Sequence, residues 1–322
     1  MSNPLPRHQP APRKRHPVRE WRPWRVARLA YLSFGFGGSY VLAAAIAFYS
    51  LVCLGPLGLL LAAALQPLLG PGHTAYGWLQ VAARELAGPA AEAVLLQVRG
   101  LLTHPETHLV SIVSVVLLIW AGLRLFETVE RSLTGLWPGK VLRGYFGRKL
   151  AALAMMLVAG VLLGSFVLLQ VAGAAAAAWL REVPQVDPTA LRALRQPLLQ
   201  GAQLVLAILA YTLVYKFAPV QRVPRRAALV GALVAAPLWQ IGSRVFGAVL
   251  VGGASPTTVY GGLAGVVVFA LWALMGAWIL LLGAHVSVAY EHIYLRARPP
   301  EEDDALIGWP GRPGATPTAP GE

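Results

Sequence analysis

The sequence contains very little cysteine, charge and acid, and each shortage excludes a class of protein. Cys53 is the only cysteine among 322 residues, which excludes a small secreted domain held together by disulfides. Charged residues make up 13% of the chain, about half of the roughly 25% found in soluble domains. A soluble enzyme or nucleic-acid-binding domain is therefore not expected for the whole chain. Apolar residues are abundant, at 57% with a mean hydropathy of +0.59, and they predict an integral membrane protein.

Long apolar runs predict an all-α membrane protein with six transmembrane helices. A bilayer core about 30 Å thick is crossed by roughly 20 helical residues. The uncharged stretch from Arg28 to Arg84 is too long for one crossing, so we expect it to hold a span together with interfacial or loop structure. The predicted spans are 40–69, 109–126, 150–180, 198–217, 227–251 and 262–290.

Two features are expected in and after the first span. Pro56 lies in the middle of that span, where it removes a backbone donor and crowds the preceding turn, so a helix kink is predicted there. Over residues 75–103 the charges are sparse and apolar residues recur at helical spacing. This pattern predicts an amphipathic helical segment in the first external loop, outside the bilayer core.

The distribution of Lys and Arg predicts the orientation. Of the 27 basic residues, 20 lie in the first arm, in 131–149, in 216–226 and after residue 290, whereas 5 lie in the loops of the opposite side. By the positive-inside rule, both termini are expected in the cytoplasm, and an even number of spans agrees with this. The membrane domain is predicted over 29–295.

The two ends of the chain are expected to be disordered cytoplasmic segments, over 1–28 and 296–322. Six prolines interrupt the first arm, and the tail ends in Pro, Gly and Ala. The predicted partner of the arm is the anionic headgroups of membrane lipids, and no nucleic-acid partner is expected. Aromatic and basic residues near its end predict an interfacial anchor: Trp21, Arg22, Trp24, Arg25, Arg28 and Tyr31.

Two arginines lie within predicted spans, and each permits two interpretations. Arg124 is followed by Glu127 at helical i, i+3 spacing, so it either snorkels to the inner interface as part of this pair or belongs to an inward-facing ion pair at a cavity. Arg244 is expected near the outer boundary of the fifth span. There it either snorkels or binds an anionic headgroup or substrate. We take Arg124, Glu127 and Arg244 as candidate substrate or lipid contacts.

His285 on the sixth span is the fourth candidate contact. A proton relay is conceivable, because intramembrane ionisable groups are expensive and often functional. The alternative is a histidine near the interface whose hydrogen bonds neighbouring groups satisfy. The sequence contains no HExxH or CxxC motif, no phosphate-binding glycine loop and no plausible Ser, His, Asp arrangement. No catalytic residue, metal site or cofactor is predicted.

Small residues at four-residue spacing predict close helix packing. Gly160 and Gly164 form one such pair, and Gly261 and Gly265 form another. Packing inside one monomer is the preferred interpretation, while a homo-oligomer interface stays possible.

Four segments of the chain resemble the YihY/BrkB family of bacterial inner-membrane proteins. AIAFYSLVCLGPL starts at Ala45, and RSLTGLW starts at Arg131. The most specific segments are APVQRVPRRAALVGALVAA from Ala218, and VYGGLAG from Val259 together with ILLLGAHVSV from Ile279. The resemblance covers about residues 43–290. Two positions depart from the family pattern: His285 stands where an acidic residue is usual, and Thr134 stands where Asn is frequent.

The resemblance implies a six-helix protein of the cell inner membrane whose biochemical activity is not settled. Members were once labelled ribonuclease BN, a label now regarded as an error, and transport or export of lipid-like molecules has been suspected. A transporter or exporter of a lipid-like or anionic amphiphile is the leading hypothesis, and no enzyme activity is expected. An almost entirely apolar bundle suits such a substrate better than a sugar or an ion.

Two alternatives remain open. One is a non-transporting scaffold or envelope-integrity protein whose basic arm recruits a cytoplasmic partner. The remote one is a membrane-associated ribonuclease, which would need acidic groups on the cytoplasmic face. Its plausible pool is Glu127, Glu130 and Glu291.

Overall fold

The computed structural model describes residues 22–65, 107–137, 144–181, 188–252 and 264–297. All regular structure within these ranges is helical, in line with the predicted all-α class. The helices are α1 (Arg22–Phe36), α2 (Ser39–Leu65), α3 (Thr107–Thr134), α4 (Tyr145–Arg181), α5 (Pro188–Phe217), α6 (Arg225–Gly252) and α7 (Ala264–Tyr290), followed by a short π-helix, Glu291–Leu295.

The long helices lie where the sequence predicts spans, with two extensions. Helix α3 continues about two turns past residue 126, where Val129 and Leu133 are buried in the core. Helix α5 starts ten residues before 198. Within the described ranges, four helices are long and apolar enough to cross a membrane, or five if the bent pair α1 and α2 forms one span. The number six stays a prediction, and residues 75–103 lie outside the described part.

The N-terminal boundary of the membrane domain differs from the predicted one. Residues 22–28, expected in the disordered arm, form the first turns of α1. They are helical because Val26, Leu29 and Ala30 are buried against the end of α7 and the π-helix. The predicted kink residue, Pro56, lies inside α2, which continues as helix on both sides of it. Residues 1–21 and 298–322 lie outside the described part.

Helices α2 to α7 pack in a cycle in which α7 is the most connected element. Helix α2 packs on α3, α3 on α4, α4 on α5, α5 on α6, α6 on α7 and α7 again on α2. Helix α1 packs against the C-terminal end of α7. Large apolar side chains such as Phe146, Val161 and Leu198 are exposed on the outside, as is typical of a lipid-facing surface.

The tightest helix contact joins α6 and α7. A Cβ built on Gly231 would collide with the Ser287 hydroxyl and the Gly283 carbonyl, and fully buried alanines line the α6 side of this contact. Small residues permit close backbone approach where lipid supplies no hydrophobic drive between helices. The predicted pair Gly160 and Gly164 does not serve this purpose, because no described heavy atom lies within 4 Å of a Cβ built there.

Candidate functional site

A sharp elbow separates α1 from α2. The two helices meet at 70°, and the chain turns at Gly37 and Gly38. Gly38 has a φ of +68°, a left-handed conformation that costs glycine little because it has no Cβ. The Gly37 amide caps α1 by donating to the Ser33 carbonyl at 2.9 Å. The chain therefore changes direction by 70° between α1 and the long, apolar α2 within two residues.

His285 of α7 binds both arms of this elbow. Its Nδ1 lies 2.9 Å from the Ser33 hydroxyl on α1, and its Nε2 lies 2.8 Å from the Ser39 hydroxyl that begins α2. The imidazole is 5% exposed and meets the edge of the Phe34 ring, with centroids 5.8 Å apart. The His285 side chain thus bonds to two residues that precede it by 252 and 246 positions in the sequence.

The network selects one tautomer of His285. The Ser33 hydroxyl donates to the Ala30 carbonyl at 3.2 Å, so its oxygen is left to accept a proton from Nδ1. A neutral imidazole has one donor and one acceptor, and Nε2 therefore accepts from the Ser39 hydroxyl. This arrangement satisfies both ring nitrogens by neighbours, which matches the second of the two interpretations offered for His285 and makes it a brace of the elbow.

Glu127 forms a second polar cluster with the cations beside it. Its carboxylate pairs with Lys149 of α4 and, at 3.5 Å, with Arg124 one turn earlier on α3. The Glu127 side chain is 6% exposed, while that of Arg124 is 44% exposed. The arginine therefore keeps its head near the surface while pairing with Glu127, and the buried acid is shared with α4. Neither Arg124 nor Glu127 is among the residues that line the apolar cavity between α2, α5, α6 and α7.

A third polar cluster lies at the C-terminal end of α7. The buried Glu291, at the start of the π-helix, accepts from the Trp137 indole nitrogen at 2.9 Å. It also accepts two bonds from the Arg296 guanidinium, at 2.7 and 3.0 Å. Both guanidinium bonds go to Oε1, whereas the indole binds Oε2, and charge-assisted bonds of this kind are roughly twice as strong as neutral ones. Glu291 thereby ties the end of α7 to the turn that follows α3.

The same turn after α3 also holds the connection between α5 and α6. The Val220 amide donates to the Thr134 hydroxyl at 3.3 Å, and the Gln221 side-chain amide reaches the Thr134 carbonyl at 3.4 Å. The segments RSLTGLW and APVQRVP, which are distant in sequence, thus meet at one end of the bundle. Thr134 acts there as an acceptor.

Trp137→Phe is expected to destabilise the protein by about 2 kcal/mol, the usual worth of a hydrogen bond to a charged group. The substitution keeps the ring but removes the only donor that Trp137 offers to Glu291. Unfolding of detergent-purified protein measures the loss. Trp278→Phe, at an exposed position of α7, is the matched control; equal losses in both variants would show that the bond contributes nothing.

A mostly apolar cavity of about 300 Å³ lies between four helices. Helices α2, α5, α6 and α7 line it with aromatic rings, small residues and one serine. The rings of Trp239 and Trp272 meet edge to face with centroids 5.1 Å apart. Its lining consists of Ile46, Ser50, Tyr211, Trp239, Trp272, Ala273, Gly276, Ala277 and Leu280.

Arg244 lies apart from the other candidate residues. Its Nη2 donates to the Gln200 side-chain carbonyl of α5 at 3.0 Å, and Gln240 reaches the Gln200 backbone carbonyl at 3.4 Å. Ser287 contacts Gly231, so His285 lies near the start of α6. Arg244 is thirteen residues further along α6, roughly 20 Å at the helical rise.

The four residues singled out in the sequence therefore occupy three places. Arg124 and Glu127 pair on α3, His285 braces the elbow, and Arg244 lies beyond the cavity. Sequence reasoning missed the partners that define these places, because they come from other helices: Ser33, Ser39, Lys149 and Gln200. It also missed Trp137, although this residue is the last one of the segment RSLTGLW. Within the described ranges no three His, Cys, Asp or Glu residues are grouped to hold a metal ion.

Comparison with known proteins gives the family. The model of the family described as virulence factor BrkB matches residues 33–306, which is most of the chain, and the chain belongs to this family. No solved structure matches it.

The curated relatives carry descriptive names without an activity. A UPF0761 membrane protein of Enterobacter sp. (strain 638) is 32% identical over 189 residues, covering 58% of this chain and 62% of the relative. A UPF0761 membrane protein of Azotobacter vinelandii is 31% identical over 199 residues, covering 62% and 47%. The UPF0761 membrane protein YihY of Escherichia fergusonii is 29% identical over 188 residues, covering 58% and 62%. The matched part thus spans between about half and three fifths of these relatives.

Proposed function

We propose that this member of the virulence factor BrkB family transports or exports a lipid-like, anionic amphiphile across the cell inner membrane, without catalysing a reaction on it. The observation that carries the proposal is the mostly apolar cavity of about 300 Å³ among α2, α5, α6 and α7. Its volume is at the lower end of the roughly 300–1,000 Å³ of small-molecule sites. It therefore suits the apolar tail of a substrate better than a hydrated solute.

Arg244 is the proposed contact for the anionic headgroup. It is exposed and lies five residues beyond the cavity residue Trp239 on α6, about 7 Å further along the helix. Gln200 holds the guanidinium by one nitrogen, and an arginine has five donors in a planar fork that suits phosphate or carboxylate. A tail in the cavity and a headgroup at Arg244 would orient the amphiphile along α6.

Both termini are proposed to lie in the cytoplasm. The support is the charge distribution, with 20 of the 27 Lys and Arg on the proposed cytoplasmic segments. The polar clusters around Glu127 and Glu291 belong to the same end of the bundle as these segments. Arg244 is consequently assigned to the outer side.

Filling the cavity is expected to slow transport by roughly an order of magnitude, because the added side chain occupies the space proposed for the substrate tail and a loss of about 1.4 kcal/mol in binding is a factor of ten. The variant is Ala273→Leu, whose added atoms enter the space that Ala273 lines. Purified protein is placed in liposomes containing a fluorescent phosphatidylglycerol, and its movement between leaflets is followed by chemical quenching from outside.

Two controls complete this test. Ala248→Leu makes the same chemical change at an exposed position of α6 and should leave the rate unchanged. Arg244→Gln should lower the rate for phosphatidylglycerol more than for phosphatidylcholine. If the lipid moves no faster in liposomes with folded wild-type protein than in empty liposomes, transport of such lipids is refuted and the scaffold alternative is favoured.

A further inference from the structure

Helix α1 has one face packed against the protein and an opposite face that carries exposed aromatic side chains. Val26, Leu29 and Ala30 pack against Val286, Ala289 and Ile293. On the opposite side, Trp24 is 62% exposed and Tyr31 is 72% exposed. Residues seven apart lie on the same face of a helix, so the two rings form a single stripe, with Arg28 between them.

The charge of α1 has one sign. Its fifteen residues include Arg22, Arg25 and Arg28 and contain no Asp or Glu. Arg22 lies over the Tyr294 ring, 5.7 Å from its centroid, which keeps this cation at the end of α7. A helix that carries basic residues and exposed aromatic rings is suited to the headgroup region of a membrane with anionic lipids.

The angle of the elbow gives α1 its orientation. Helix α2 has 27 residues and no charged side chain, and α1 leaves it at 70°. A helix at that angle to a span lies close to the membrane plane. The His285 brace, bonded to Ser33 and Ser39, holds this angle.

We propose that α1 is an in-plane helix whose Trp24, Arg28 and Tyr31 face binds the anionic phospholipid headgroups of the leaflet on which it lies. The inference concerns an annular lipid partner, so it is independent of which molecule the cavity carries. The rings sit among headgroups and upper acyl chains, and the guanidinium groups pair with phosphates.

Lipid selectivity tests the charged part of this interaction. Protein is reconstituted in phosphatidylcholine vesicles with spin-labelled phosphatidylglycerol or phosphatidylcholine, and the immobilised fraction of each lipid gives their relative binding. Replacing Arg22, Arg25 and Arg28 by Gln is expected to lower the preference for phosphatidylglycerol at least about fivefold, since even one basic residue near an anionic surface contributes about 1 kcal/mol, roughly a factor of five.

The matched control replaces Arg222, Arg225 and Arg226 by Gln. These three arginines are exposed in the connection between α5 and α6 and at the start of α6. Their replacement should leave the preference for phosphatidylglycerol unchanged. An equal fall in both triple variants, or no fall in the α1 variant, would overturn the assignment of the site to α1.

Labelling depth provides a second measurement that does not remove the arginines. Cys53 is the only cysteine, so Cys53→Ser gives a background for Trp24→Cys or Tyr31→Cys carrying a spin label. Oxygen and nickel-chelate accessibility should place both labels at the headgroup boundary. Labels with the full aqueous accessibility of a solvated helix would reject the in-plane position, and transport activity has no part in either readout.

Discussion

Gly283→Ala is expected to destabilise the folded protein more than any other glycine substitution proposed here. A Cβ on Gly283 would collide with the Tyr215 hydroxyl, would lie 2.7 Å from the Ala235 Cβ and would lie 3.1 Å from the Gly231 carbonyl oxygen. Tyr215 has no room to move aside, because it is fully buried and donates to the Leu280 carbonyl at 2.9 Å. We expect a loss of about 3 kcal/mol, the upper end of the usual over-packing cost.

The yield of monodisperse protein and the apparent melting midpoint in detergent measure this effect. Gly164→Ala is the matched control, because no described heavy atom lies within 4 Å of its added Cβ. It should be neutral or slightly stabilising, since alanine is about 1 kcal/mol better than glycine inside a helix. A Gly283→Ala protein with wild-type yield and midpoint would show that α6 and α7 are not packed this closely.

The comparison of these two glycines shows what the sequence could and could not predict about packing. Gly160 and Gly164 have the spacing typical of a helix contact, yet they face outward. Gly231 and Gly283 stand on different helices and have no shared spacing. A four-residue repeat of glycines shows that one helix has a face of small residues. Close contact also requires a neighbouring helix to pack on that face, which the repeat does not show.

Helix positions were largely predictable because the bilayer constrains length and polarity locally. Helix α6 begins and ends within two residues of the predicted 227–251, and α7 ends at the predicted Tyr290. The elbow was not predicted, although the uncharged stretch after Arg28 was recognised as too long for one span. Its cause is a two-glycine turn, and glycines are too common in this sequence, at 33, to mark one position.

The candidate site was predictable residue by residue but not as an arrangement. Arg124 and Glu127 pair within one helix, so their spacing alone predicted the contact. His285 binds partners about 250 positions earlier, Ser33 and Ser39, and a hydroxyl in an apolar run carries no signal of its partner. Sequence can therefore nominate ionisable groups inside a membrane, while their roles follow from tertiary contacts.

His285→Leu is expected to be the most damaging polar substitution in the elbow. Leucine fills the space with an apolar side chain but cannot form either of the two hydrogen bonds of the imidazole. The buried Ser39 hydroxyl then loses the partner that it has in the structure. Ser33 retains its bond to the Ala30 carbonyl. A buried polar group left unsatisfied costs about 1–3 kcal/mol, so with the two lost bonds we expect a total of about 3 kcal/mol.

Two measurements separate this brace from general packing. The melting midpoint gives the global loss, and amide hydrogen exchange of residues 33–40 reports on the elbow itself. Loss of protection confined to these residues and α1 is expected, because α1 would no longer be fixed to α2 through α7. Uniform loss across α6 and α7 would instead assign His285 a role in core packing alone.

A double-mutant cycle gives the sharpest test, because it isolates the contact between His285 and Ser39. Ser39→Ala alone should cost about 1–2 kcal/mol, since it removes the partner of Nε2 in a buried place. In the His285→Leu background the same change should be neutral or stabilising, because it deletes a hydroxyl that no longer has a partner. Ser165→Ala, which removes a hydroxyl bonded only to its own helix on exposed α4, should be equal in both backgrounds. If the costs of Ser39→Ala and His285→Leu are additive, the imidazole and the hydroxyl do not bond. The angle of the elbow would then be set by the two glycines alone.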